Sequence, residues 1–320
     1  MPDLKSPYPY FGGKSKVAEL VWSRLGNVQN YVEPFFGSGA VLLARPHEPK
    51  VETVNDMDCY LTNFWRALAA SPDEVAFHAD NPVNECDLHA RHRWLKTQEG
   101  FIERMRTDPE YHDAKIAGWW VWGISAWIGD GWCREESTKI PHIGDGGMGV
   151  HRGSIPHLGD GGMGGRPHLG RDHGTHAKFR TEGLYHYLGQ LAARVRRVRV
   201  CCGDWSRVCG DSVTIFHGLT GVFLDPPYFS PDRADVYNHD SRSVPKDVEA
   251  WAISHGDNKR FRIALCGYEG DYAMPDSWEC VAWKAGGGYA NRLDDNANAR
   301  RERIWFSPHC LSKKQPSLFD

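Results

Sequence analysis

The chain has 320 residues, enough for one large α/β domain with an insertion and a core of ample size. Its formal charge of −3 carries no global nucleic-acid signal, so any contact with a phosphate backbone has to come from a local basic surface. Nine cysteines, an odd number without framework spacing, exclude a secreted disulfide scaffold. No charged start followed by an apolar signal region and no apolar run of about twenty residues is present, so the expected location is the cytoplasm, with no membrane span.

Taken in chain order, Ser15 to Leu25 has a helical pattern and leads into a short strand at Tyr31-Val32-Glu33, which the Gly37-Ser38-Gly39 loop ends. A helix over Ala40 to Ala44 follows. Val51 to Val54 is predicted as a second strand ending at Asn55-Asp56, and Tyr60 to Ala70 as a helix with Leu61, Phe64, Trp65 and Leu68 on one face. The middle is different. Trp119, Trp120, Trp122, Trp127 and Trp132 lie within Gly118 to Trp132, too dense in indoles for an ordinary linker.

Beyond them, Ile140-Pro-His-Ile-Gly-Asp-Gly-Gly-Met-Gly149 recurs fifteen residues later as Ile155-Pro-His-Leu-Gly-Asp-Gly-Gly-Met-Gly164. Two copies are too few for a solenoid, and the glycine content favours loops over helices. His142 and His157 with Asp145 and Asp160 present metal-ligand types, but no cysteine pair at zinc spacing accompanies them and no metal is expected. Between His151 and Val200 nine Lys or Arg stand against three acids, a local basic stretch that reads as a solvated face or as a phosphate contact.

Five short apolar segments follow: Val198 to Val200, Gly221 to Leu224, Phe261 to Cys266, Trp278 to Trp283 and Arg303 to Phe306. Strands alternating with helices in this way predict an α/β fold with an open, mainly parallel sheet and helices on both faces. Ligands of such folds sit at the C-terminal ends of strands, where both the Gly37 loop and Asp225 are expected.

Two of those strand ends carry chemistry. Phe35-x-Gly37-x-Gly39 lets the backbone pass close to a small molecule and starts a helix, but the third glycine of a dinucleotide-binding fingerprint is missing, which argues against a nicotinamide cofactor. Asp56, at the end of the second strand, stands where an acid accepts hydrogen bonds from ribose hydroxyls, or else caps the next helix, a role Asp58 fills equally well. After Val222-Phe223-Leu224 comes Asp225-Pro226-Pro227-Tyr228. Its two prolines fix φ and remove two donors, so the bend holds the Asp225 carboxylate, the Pro226 carbonyl and the Tyr228 ring in set relation. Two acceptors beside a flat ring suit a nucleobase with an exocyclic amino group.

Asp225-Pro226-Pro227-Tyr228 resembles the catalytic motif of the amino-group DNA methyltransferases, in particular the Dam-type (class alpha) adenine-N6 enzymes of bacteria and phages. Pro9-Tyr10-Phe11-Gly12-Gly13-Lys14 resembles that family's opening motif and Glu33-Pro34-Phe35-Phe36-Gly37-Ser38-Gly39-Ala40 its methyl-donor loop, in the family's order. The resemblance implies a Rossmann-like methyltransferase fold with a mainly parallel seven-stranded sheet. Residues 1–75 and 191–311 are expected to form the core, 76–190 an inserted target-recognition region and 312–320 a flexible tail.

It also implies S-adenosylmethionine as cofactor, with Tyr10, Phe11 and Lys14 on its methionine side, Glu33, Phe35, Gly37 and Gly39 in the loop beneath, Asp56 on the ribose, and Asp204 and Trp205 at its adenine. Asp225, Pro226, Pro227 and Tyr228 are then catalytic. Arg152, Arg166, Arg171, Lys178 and Arg180 are the expected contacts to double-stranded DNA, whose target base is flipped out to be reached. Asp in first place favours adenine over N4-cytosine chemistry, and a catalytically silent DNA-binding protein of the same fold is the alternative from another class. The implied arrangement sets the carboxylate bend facing a sulfonium two strands away. The tail Gln315-Pro316-Ser317-Leu318-Phe319-Asp320 resembles the peptide by which bacterial DNA enzymes dock on the replication sliding clamp, through Gln315, Leu318 and Phe319.

Overall fold

A computed structural model describes residues 4–8, 10, 14–108, 110–127, 132–133, 180–228, 243–283 and 301–312. Backbone contacts divide the chain into two compact units, one of Met1–Asp3, Phe11–Met57 and Arg197–Asp320, the other of Leu4–Tyr10 and Asp58–Arg196.

The first unit is built on a seven-stranded sheet. In chain order its strands are β1 (Asn30–Glu33), β2 (Val51–Asp56), β3 (Arg199–Cys202), β4 (Thr220–Leu224), β5 (Phe261–Tyr268), β6 (Glu279–Ala282) and β7 (Glu302–Phe306), arranged β3-β2-β1-β4-β5-β7-β6. The first five positions are parallel, and β7 runs antiparallel to both β5 and β6. This is the mainly parallel α/β sheet that the strand–helix alternation predicts. The central strands β1 and β4 are buried at every position, whereas every position of β3 and β6 is half-buried or exposed, as expected of a parallel centre and its edges.

Register sorts the side chains into two faces. Val32, Val222 and Ile263 align across β1, β4 and β5, and they join Leu224, Leu265, Trp205 and Trp305 in one apolar cluster with Val248 and Ala252 of the helix Val244–Gly256. On the other face the helix α1 (Ala18–Leu25), followed in the chain after β1 by the short helix α2 (Ala40–Leu43), lays Trp22 against Tyr31 at 4.8 Å and the Arg24 guanidinium 4.9 Å over Phe306. The alternation along each strand continues to the C-terminal ends. Cys266 and Tyr268 of β5 therefore pair with Ile304 and Glu302 of β7 on the α1 face. The order also reverses between β1, whose chain continues to β2 on one side, and β4 on the other, the place where open α/β sheets bind ligands.

The second unit is helical: α3 (Cys59–Ala70), α4 (Pro72–Ala79), α5 (Glu85–Lys96), α6 (Phe101–Thr107), α7 (Ala114–Ala126) and α8 (Arg180–Val195). The indole-dense stretch is explained here, since Trp120 and Trp122 of α7 are fully buried with Trp65 and Phe64 of α3. Tyr8 meets Phe64 and Trp120 edge-on at 5.5 and 5.0 Å. Gly118 lets α7 close on α4, for a Cβ there would stand 2.4 Å from the His78 Cβ. Asp58 caps α3 by accepting from the amides of Tyr60 and Leu61, which leaves Asp56 outside the cap.

Candidate active site

The Gly37 loop is closed by its own backbone and by the neighbouring strand. Gly37 and Gly39 adopt φ of 49° and 70°, the left-handed region in which a side chain costs energy. The Gly39 amide donates to the Phe36 carbonyl at 3.0 Å, and Phe36 donates to the Asn55 carbonyl at 3.0 Å. Asp56, half-buried at the end of β2, accepts from the Gly37 amide at 3.0 Å. The Asn55 amide group donates to the carbonyls of Pro34 at 3.1 Å and Gly203 at 2.9 Å, while its Oδ1 is buried with no hydrogen-bond partner among the described residues. The ends of β1, β2 and β3 are thus tied into one rim.

Phe35 and Trp205 stack at 6.1 Å with planes 26° apart, and Trp205 is buried in the apolar cluster. Asp204 is exposed and caps the short 3₁₀ turn Trp205–Val208 through the Ser206 amide at 2.9 Å. Glu33 ends β1 buried, with the Tyr31 hydroxyl donating to it at 2.9 Å. Burial pushes its carboxyl well above the usual range; the Tyr31 hydrogen bond opposes this and the Asp225 charge adds to it.

The second cluster follows β4. Asp225 Oδ1 receives the Lys14 ammonium at 2.9 Å and the Tyr228 hydroxyl at 3.0 Å. Among the described residues those two contacts fall on one oxygen, and Oδ2 is left to an incoming donor. Lys14 is 5% exposed and lies 5.1 Å over the Tyr228 ring, a cation–π contact on one face of that ring. Tyr268 meets the Tyr228 ring edge-on at 4.7 Å. The Tyr228 hydroxyl also reaches Glu302 Oε2 at 3.2 Å, and Trp283 lies with its ring 5.7 Å from the Lys14 nitrogen.

The two clusters stand at the ends of adjacent strands. Register Tyr31↔Gly221 and Val32↔Val222 makes β1 and β4 direct neighbours, which corrects the spacing of two strands expected from the sequence. The Asp225 charge adds to the rise of the Glu33 carboxyl, a further sign of their closeness.

Of the residues singled out in the sequence, Lys14, Glu33, Phe35, Gly37, Gly39, Asp56, Asp204, Trp205, Asp225, Pro226, Pro227 and Tyr228 belong to this unit. Tyr10 groups with the helical unit, where Tyr8 meets it edge-on at 6.1 Å. Phe11, Arg152, Arg166, Arg171, Lys178, the duplicated histidines and the tail residues Gln315, Leu318 and Phe319 lie outside the described residues, and of Arg180 only its place in α8 is described. Glu302, from the run Arg300-Arg301-Glu302-Arg303 that the sequence offers as a border of the target pocket or as strand-end packing, reaches the Lys14–Asp225–Tyr228 cluster, and Trp283 reaches it from a segment read only as a strand.

Among the described residues no group of three His, Cys, Asp or Glu is placed to hold a metal ion, and no helix is long and apolar enough to cross a membrane. Residues 10–115 match the family described as D12 class N6 adenine-specific DNA methyltransferase, a span that includes the Gly37 loop and stops short of Asp225. A comparison with curated proteins finds no match.

Proposed function

We propose that this chain, whose residues 10–115 match the D12 class of N6 adenine-specific DNA methyltransferases, acts as a member of that class, with the Gly37–Gly39 loop holding the methyl donor and the Asp225–Tyr228 bend holding the target adenine. The observation that carries this reading is the adjacency of β1 and β4, whose C-terminal ends bear the two loops side by side.

The family's methyl donor is S-adenosylmethionine, and the residues present fit it. Two left-handed glycines let the backbone approach closely, Asp56 and Asp204 provide acceptors for hydroxyl and amino groups, and the Phe35–Trp205 pair supplies aromatic surface. When bound, the donor supplies an electrophilic methyl on a sulfonium.

The chain's own residues have to supply geometry. The lone pair of adenine's amino nitrogen is delocalised into the ring, so the nitrogen attacks poorly until it is made more pyramidal. Acceptance of its two hydrogens by Asp225 Oδ2 and the Pro226 carbonyl does that, and turns the lone pair toward the donor. Orientation of two bound reactants supplies several kcal/mol, up to roughly 7–11 in ideal cases. Stacking on the Tyr228 ring is worth about 1–3 kcal/mol, which offsets much of the cost of flipping a base out of duplex DNA.

The test is incubation of the full chain with methyl-labelled S-adenosylmethionine and mixed-sequence duplex DNA, followed by digestion to nucleosides. Label is expected in N6-methyldeoxyadenosine. Label in N4-methyldeoxycytidine assigns the cytosine chemistry instead, and DNA binding without label assigns a silent binding protein.

A further inference from the structure

Tyr228 places one hydroxyl between two carboxyl groups, 3.0 Å from Asp225 Oδ1 and 3.2 Å from Glu302 Oε2. A phenol has a single proton and an ionised carboxylate only accepts, so both contacts are good hydrogen bonds only when one carboxyl carries a proton of its own. Asp225 is the ion-paired member, with Lys14 at 2.9 Å. Glu302 is 6% exposed, and among the described residues it has no ion pair.

We infer that Glu302 is a positioning residue of the methyl-transfer site: in its neutral form it donates to the Tyr228 oxygen, which directs the phenolic hydrogen onto Asp225 Oδ1 and fixes the ring on which the base stacks. The inference rests on the reading of Asp225 as the acceptor for the amino group. It adds a residue that lies 74 positions beyond Tyr228 and reaches it through the antiparallel pairing of Glu302 with Tyr268.

The surroundings determine when the device operates. Burial pushes the Glu302 carboxyl up to about 7; Lys14 opposes the rise, the Asp225 charge adds to it, the Tyr228 hydrogen bond opposes it, and Asp271 adds a smaller part. From β5 the facing groups are Cys266, whose thiol is itself pushed up by burial, and Tyr268. Of the arginines flanking Glu302 in the chain, Arg303 pairs with Glu269 at 2.6 Å and Arg301, just before β7, lies 5.3 Å over the Tyr268 ring. As pH rises through about 7, Glu302 becomes a second anion competing for the one phenolic proton, and Asp225 loses its share of it.

The experiment compares kcat and donor KM of the full chain and its Glu302→Gln and Glu302→Ala variants, from about pH 6 to about pH 9. The Gln amide donates to Tyr228 at every pH, so Glu302→Gln is expected to stay within about threefold of the parent at the acid end and to lose the alkaline fall in kcat. Glu302→Ala is expected to lose about tenfold in kcat throughout with donor KM unchanged. Thermal denaturation supplies a readout independent of turnover. A buried carboxyl raised above its unfolded value costs the parent stability as pH climbs from about 4.5 to about 7, so the melting temperature of Glu302→Gln should exceed the parent's at alkaline pH and converge with it at acid pH.

An alkaline limb retained in Glu302→Gln, or parental kcat in Glu302→Ala, overturns the inference. Absence of N6-methyldeoxyadenosine from the parent, or activity in Asp225→Ala, overturns the functional reading instead, so the two failures are distinguishable.

Discussion

Asp225→Ala is expected to lower methyl transfer by about 10³-fold or more while donor affinity stays within a few-fold of the parent, because the acceptor it removes is used when the amino nitrogen is reshaped for attack. Single preorganised hydrogen-bonding groups in other enzymes are worth roughly 10²–10³ in kcat, and this one acts with the Pro226 carbonyl on the same nitrogen. Removal also leaves the 5% exposed ammonium of Lys14 without its 2.9 Å partner, so some stability is lost as well. Asp225→Asn separates the effects. It keeps an acceptor oxygen, loses the ion pair, and should lie between parent and Asp225→Ala in kcat. Single-turnover methyl transfer with donor binding measured by calorimetry decides the case, and Asp225→Ala turning over within tenfold of the parent contradicts it.

Lys14→Met is expected to cost about 10²-fold in kcat and to move the pH dependence upward. Three carboxyl groups converge at this strand end, Glu33, Asp225 and Glu302, and Lys14 is the cation paired with the central one. Without it, only the Tyr228 hydrogen bond opposes the rise that burial and the Asp225 charge impose on Glu302, so its proton is retained to higher pH than in the parent. The alkaline limb of kcat should therefore shift to higher pH in Lys14→Met, whereas a purely structural lysine would lower activity evenly. A pH–kcat profile of the variant beside the parent measures this, and an unshifted limb of reduced height contradicts it.

How much of the site the chain displays locally follows from where each residue sits. Gly37, Gly39 and Asp225 are legible because each stands within a few positions of an apolar strand, where turn chemistry has few solutions. Asp56 and Asp58 were interchangeable on spacing alone, and hydrogen bonds separate them: Asp58 caps α3, and Asp56 faces Gly37. Glu302 lies in Arg300-Arg301-Glu302-Arg303 at the start of a short strand, a run that reads equally as bordering the target pocket or the phosphates and as strand-end packing. Only the antiparallel β5–β7 pairing turns it inward beside Tyr228, and no pattern local to Glu302 encodes that non-local contact. The strand–helix alternation gave the sheet, but not the neighbour relation of β1 and β4, which depends on which strand closes beside which. The indoles of Trp119 to Trp122 signalled burial without naming its partners, because α7 is apolar on more than one face and packs against both α3 and α4.

The most direct measurement of the central claim is a crystal structure of the full chain with S-adenosylhomocysteine, the demethylated product of the donor. Its sulfur should lie between the Gly37–Gly39 loop and Asp225, with the ribose hydroxyls on Asp56. Density for the product at any other edge of the sheet, away from the ends of β1 and β4, contradicts the account.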